Sequence, residues 1–326
     1  MEKKLENLKG GNSMENLFAF TAVDANYSQG TAGAIYGERA GTAATLTAVK
    51  NKIANPPLNG DPAFFNFFDR YNSRLVLRQY TYSTTNLLPN RIIDPQGNWT
   101  APLYNETWTG IANLHGVASK GRWLFGTGYD LSKLCVIDMD NGYTQEHEYD
   151  FPDAFSRIEG LHYDGTYHGE ALTVGTDGYL YALFYINKGS GYTEYYESVV
   201  VQFQIDDENG ELTFNKYVTV GKNSFTLDLY DNKLYVCSLG GMQNAGTGNA
   251  DTNLCIVDTK KFEQSKVITV KIQNPAQNGD IRDISIIDPN HVYIFAGHYD
   301  TGFANMIGAV YHTTLANITN SASWTN

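Results

Sequence analysis

Apolar residues in this chain fall in short runs of about four to eight, each closed by Gly, Asn, Asp or Ser before the next begins. Where polar residues interrupt a run they alternate with apolar ones, which is the period of a strand with one buried face. The pattern predicts many short strands joined by tight turns, and no helix longer than about two turns after Met14.

One unit recurs along the chain. A short apolar strand leads through a turn to a second strand rich in Tyr and Phe, then through a variable loop to a third apolar strand, another turn and a polar-alternating fourth. The copies read HGVASKGRWLFGTGYD from His115 with KLCVIDMDNG from Lys133, and HGEALTVGTDGYLYALFYI from His168 with SVVVQFQIDDENGEL from Ser198. They continue as NSFTLDLYDNKLYVCSLGG from Asn223 with NLCIVDTKKFE from Asn253, and DIRDISIIDPNHVYIFAGHYD from Asp280 with IGAVYHTTL from Ile307. Looser copies start at Asp61 and Asn16. The turn between first and second strands falls near Asn72, Gly121, Gly178, Asn232 and Asn290, a period of about 55 residues. Its Asp-Gly and Asp-Asn pairs reach the positive φ of tight hairpins.

A four-stranded unit cannot bury both of its faces alone, and stacking such units in a ring covers each by its neighbours. A β-sandwich need not repeat and solenoid coils are shorter. The expected fold is therefore all-β: a β-propeller of about six four-stranded blades. The copy at Asn16 lacks a convincing first strand while the chain runs on past the last copy to Asn326, so the two ends are expected to share a blade in a velcro closure. Residues 14–326 form one domain in this reading, and residues 1–13 a charged, tag-like leader.

Composition narrows the partners. The net charge is -12 and no Lys/Arg cluster is present, which disfavours nucleic acid, whose binding needs cations that release counterions. No apolar run nears the roughly 20 residues that span a bilayer, and no signal-peptide core opens the chain, so membrane insertion is not expected. Cys135, Cys237 and Cys255 lack metal-ligand spacing and lie inside apolar runs, as buried thiols do. Cys135 and Cys255 should occupy equivalent third strands, with Cys237 on the strand beside Cys255.

The pieces CVIDMDNG, CIVDTKKFE and DDENGEL, preceded by strands such as GYLYAL and NKLYVCSL, resemble bacterial propellers of the YVTN and lactonase-like superfamily. The resemblance covers most of the chain on short, degenerate motifs. It implies the fold more than an activity, because that superfamily holds non-enzymatic secreted and surface proteins as well as lactonases.

In such a ring the start of each inner strand and the loop between second and third strands meet at one face. Alignment puts Asp61, His115, His168, Asn223 and Asp280 at successive inner-strand starts, with Glu170, Arg282 and Asp283 just behind. A divalent cation in the central channel would find its donors among Asp61, His115, His168, Glu170 and Asp283; the same residue types also serve simply to satisfy backbone groups where strands splay. No organic cofactor is predicted. The second-to-third-strand loops carry Tyr80, Tyr82, Tyr129, Tyr192, Tyr195, Tyr196, Met242 to Asn249, His298 and Tyr299, a mixture of rigid rings and small polar groups suited to recognition. Of these, Tyr80, Tyr82, Tyr129, Tyr192, Tyr195, His298 and Tyr299, with His115 and His168, are the expected ligand contacts.

No nucleophile elbow, P-loop or HExxH motif occurs. The expected function is non-catalytic binding of a glycan or protein by a bacterial extracytoplasmic or cell-surface protein. The alternative is a metal-dependent lactonase-like or phosphoesterase-like hydrolase with its site at the pore mouth.

Overall fold

A computed structural model describes residues 16–23, 30–40, 43–46, 63–69, 74–79, 91–93, 114–128, 132–142, 144–189, 191–273 and 279–326, the first six of these segments by their backbone. The chain divides into two compact units, residues 1–107 and 108–326.

The first unit contains two antiparallel sheets of three strands. One is β1 (Asn16–Val23), β2 (Gly30–Ala40) and β3 (Ala43–Leu46); the other is β4 (Ala63–Asp69), β5 (Arg74–Gln79) and β6 (Arg91–Ile93).

The second unit contains four sheets, each a meander in chain order. They are β7 (Leu114–Lys120) to β10 (Thr144–Asp150) through β8 (Trp123–Gly128) and β9 (Lys133–Asp138); β11 (Gly165–Val174), β12 (Leu180–Lys188), β13 (Tyr195–Ile205) and β14 (Leu212–Lys222); β15 (Ser224–Tyr230), β16 (Lys233–Ser238), β17 (Asn253–Asp258) and β18 (Ile268–Lys271); and β19 (Asp280–Asp288), β20 (His291–Tyr299) and β21 (Met306–Thr313). The only helices among the described residues are 3-10 turns of three residues, and none is long and apolar enough to cross a membrane.

Strands β12 and β16 are apolar on both faces because their sheets are covered on both sides. In β12, Leu180, Ala182, Phe184 and Ile186 join the core shared with β8 and β9, while Tyr181 and Leu183 join the core shared with β16 and β17. The fourth strands are more exposed: Thr144–Asp150 has no fully buried residue, and Leu212–Lys222 alternates buried Val218 and Val220 with polar positions. Burial on one side and water on the other gives the alternation seen in the sequence.

The third strand of three sheets ends in the same device. Asp138, Asp206 and Asp258 each use Oδ1 to accept from the backbone N–H groups two and three residues on, at 2.9 and 3.3 Å, 2.8 and 3.3 Å, and 2.9 and 3.3 Å. The aspartate of the recurring VID and IVD motifs is thus a turn-former, mimicking a backbone turn with its side chain.

Cys135 lies in β9 and Cys255 in β17, both third strands, and Cys237 lies in the adjacent β16; all three are buried and none forms a disulfide. Pro152 follows a cis peptide bond. The tail returns along β21, where His312 and Thr325 exchange both backbone hydrogen bonds at 2.7 and 3.0 Å and Trp324 packs near Tyr311. The tail thus adds one bridge to the edge of β21.

Candidate functional site

Every inner strand of the second unit carries an extra residue near its start, and β19 has a second irregularity at Ile287. The β7–β8 pairing skips His115, β11–β12 skips Glu170, β15–β16 skips Phe225 and β19–β20 skips Arg282; in the first unit, β4–β5 skips Phe64. A β-bulge of this kind leaves its extra residue out of the ladder and re-aims its side chain. The bulges make His115 equivalent to Glu170 and Arg282, and His168 equivalent to Asn223 and Asp280. Sequence alignment had set His115 beside His168; it is two residues off, because an unpaired residue leaves no mark in the alternation.

The inner strands lie side by side with equivalent residues adjacent. A Cβ on Gly116 would fall 2.9 Å from the backbone of Ala171, and Thr226 Oγ1 donates to Arg282 O at 2.9 Å. At the far end, Lys120 Nζ donates to Gly178 O at 3.3 Å and Thr176 Oγ1 to Asn232 Oδ1. The bulges and the loops between second and third strands thus share one edge of the sheets, and the tight turns share the other.

Three clusters occupy the bulge edge. In the first, His115 Nδ1 meets Glu170 Oε2 at 2.9 Å across two sheets, with the imidazole side chain 36% exposed and the carboxylate 3%. A buried carboxylate against a partly exposed imidazole fixes the ring's orientation.

The second is an aromatic column. His168 stacks on its cross-strand partner Tyr185 at 4.5 Å, Tyr185 lies 5.9 Å from Tyr195, and Tyr192 covers His168 at 5.6 Å. Tyr195 is buried and donates its hydroxyl to Tyr192 O at 3.0 Å, so it shapes the loop, while Tyr192 is 47% exposed at its tip. Tyr196 is also committed: its ring lies 3.6 Å from that of His162, and its hydroxyl donates to Asp164 Oδ2 at 2.6 Å.

The third gathers around Asp280, fully buried at the start of β19. Its Oδ1 accepts from Asn249 N and Nδ2, and Arg282 Nη2 lies 3.7 Å from Oδ2. Burial raises the Asp280 pKa, opposed by the Asn249 N–H groups and Arg282. Arg282 also donates to Gly297 O at 2.7 Å and to Gln243 Oε1 at 3.3 Å, and its guanidinium lies 5.5 Å from the Tyr299 ring. His298 is buried beside this group. Through Ala245, which bridges Tyr299, and Asn249, the 239–252 loop is anchored on β19 and β20.

Of the expected site residues, the structure brings together His115 with Glu170, His168 with Tyr192 and Tyr195, and His298 with Tyr299. Asp283, one residue past its bulge, accepts from Ile284 N and joins none of these clusters. Among the described residues no three His, Cys, Asp or Glu side chains are grouped to hold a metal ion, so no chemistry is derived through one. Asp61, Tyr80, Tyr82 and Tyr129 lie outside the described residues.

One residue the sequence reading missed is Phe303. Asp300 builds its loop, accepting from Gly302 N, Ala304 N and Asn305 Nδ2 at 3.2, 2.8 and 2.7 Å, and Phe303 sits at φ 54° with its side chain 53% exposed. Left-handed backbone is uncommon for a bulky residue. The Asp-Thr-Gly run before it was the available signal.

A candidate 6-phosphogluconolactonase from Bacteroides uniformis aligns over 92% of this chain and 79% of its own, with a TM-score of 0.53 at 13% identity. A second, from Bacteroides fragilis, aligns over 91% and 80%, with a TM-score of 0.50 at 14% identity. Both are lactonase-like propellers. The fold is a β-propeller. Apo AztD from Citrobacter koseri gives a TM-score of 0.42 at 14% identity, and this chain, matched over 86% of its length, spans 66% of that protein, just under two thirds. No protein-family model matches the chain, and no curated protein does. At these identities the likeness is one of fold.

Proposed function

We propose that this propeller is a binding module, six-bladed and extracytoplasmic or cell-surface in setting, that docks a partner on its bulge edge. One observation carries the reading. Three successive loops on that edge each expose one large side chain: Tyr192 at 47%, Met242 at 45% and Phe303 at 53%. Tyr, Met and Phe are the residue types enriched where proteins meet, which favours a protein or peptide surface over a glycan. Phe303 strengthens the case, since a bulky residue in a strained conformation is kept where its position matters.

The test is a protein and glycan array probed with the full chain, followed by Tyr192→Ala with Phe303→Ala. The double variant should lose at least about tenfold in affinity, as removal of interface anchors does, with its melting temperature nearly unchanged. Phe303→Gly should also weaken binding while holding or gaining up to about 1 kcal/mol of stability, because glycine accepts that backbone. Binding unaltered in the double variant would sink the proposal.

The hydrolase reading keeps one supporting observation, the His115–Glu170 pair, since a carboxylate-oriented imidazole at an open edge is what general acid–base chemistry requires. Hydrolysis of a lactone or phosphoester panel that disappears in His115→Gln would move the assignment there.

A further inference from the structure

Farther from the inner strands, the second and third sheets of the larger unit form an open cleft of about 280 Å³. Its glycines lie where neighbouring chain approaches closely. A Cβ on Gly221 would fall 2.5 Å from Ser238 Cβ and 2.6 Å from Asn253 Oδ1, and one on Gly240, at φ +88°, would fall 2.4 Å from the Asp251 carbonyl carbon. Gly240 N donates to Lys222 O at 3.0 Å.

Four charges line it. Lys271 Nζ meets Asp251 Oδ1 at 3.0 Å and the two neutralise each other. Glu197 and Lys222 are direct cross-strand partners in the β13–β14 pair, the placement at which opposite charges ordinarily meet. Here they do not: among the described residues neither has an ion-pair partner, and both line the cleft. One ammonium and one carboxylate are left open to the same space.

We propose that this cleft binds a small zwitterion of the amino-acid type, its carboxylate on Lys222 and its ammonium on Glu197. A lone anion would meet Glu197 and Asp251, and a lone cation would meet two lysines, so only a ligand carrying both charges finds complementarity. The volume lies just below the roughly 300 Å³ at which ligand pockets begin, which limits the ligand to a small one. The inference is independent of the docking edge, since none of its lining residues is among the three exposed loop side chains.

The experiment is titration of the full chain with glycine, serine, glutamine and leucine, each beside its N-acetyl and amide forms, followed by backbone amide NMR. At least one free amino acid should shift the Gly221, Gly240 and Asn253 resonances, and the two blocked forms of that amino acid should bind about tenfold more weakly or not at all. Glu197→Gln and Lys222→Met should each weaken binding by a similar factor. Among the described residues neither side chain has an ion-pair partner to lose, so both variants should keep the parent's circular dichroism. No shift with any free amino acid up to about 10 mM, the same shifts with inorganic phosphate alone, or variants within twofold of the parent would each overturn the assignment.

Discussion

Asp138 concentrates in one side chain what the repeated aspartates do across the sheets. Besides the two backbone N–H groups it caps, its carboxylate takes the Arg122 guanidinium, with Nε at 2.9 Å and Nη2 on the other oxygen, and Arg122 in turn lies 4.9 Å over the Trp123 ring. Burial alone would raise the Asp138 pKa; the Arg122 bond and the two backbone donors outweigh it and hold the value below the ordinary aspartate range. A depressed folded-state value means the stabilisation is fully present above the unfolded pKa near 4 and is lost as pH falls through the lower folded value. Asp138→Ala should therefore cost about 1–3 kcal/mol at neutral pH and flatten the acid limb of the stability curve below about pH 4. Asp258→Ala, with the same two backbone bonds and no guanidinium, should cost nearer 1 kcal/mol. Urea titrations across pH compare them, and equal costs would show that the Arg122 contact contributes nothing.

At the scale of the element, the hairpin between β15 and β16 turns on two consecutive left-handed residues, Asp231 at φ 45° and Asn232 at φ 58°. Asp231→Gly should leave stability within about 0.5 kcal/mol, and Asp231→Val should lose about 1–2 kcal/mol, because a β-branched side chain pays the steric cost of that backbone. Chemical denaturation of the pair decides it, and a neutral valine would mean the turn has changed type. Turns of this sort were legible in the sequence because the geometry demands particular residues, and the strands were legible because burial on one or both faces writes itself as alternation or as an apolar run. The bulges were not. An extra residue in an inner strand differs in no compositional way from its neighbours, so His115 was matched to His168 when its equivalents are Glu170 and Arg282. Phe303 escaped for a related reason: its exposure is set by how Asp300 folds the loop, and a lone aromatic in a loop reads as ordinary.

For the larger unit as a whole, the two edges of the sheets differ in kind. On one, Gly121, Gly178 and Asp231-Asn232 close tight turns, and neighbouring turns bond to each other through Lys120 with Gly178 and Thr176 with Asn232. On the other, the described second-to-third-strand loops run from the short turn around Asp300 to the long excursion over 239–252, and they expose Tyr192, Met242 and Phe303. Loops of variable length on a rigid scaffold can change without disturbing the sheets, so specificity gathers there, while mutually bonded turns are spent on holding the sheets in register. Hydrogen exchange of the full chain with and without a partner found on the array should then show new protection in the loops bearing Tyr192, Met242 and Phe303. The amides of Gly178, Asn232 and Asn290 should exchange at unchanged rates. Protection confined to the tight-turn edge would mean that the exposed rings serve some purpose other than docking and that the partner reads the turns.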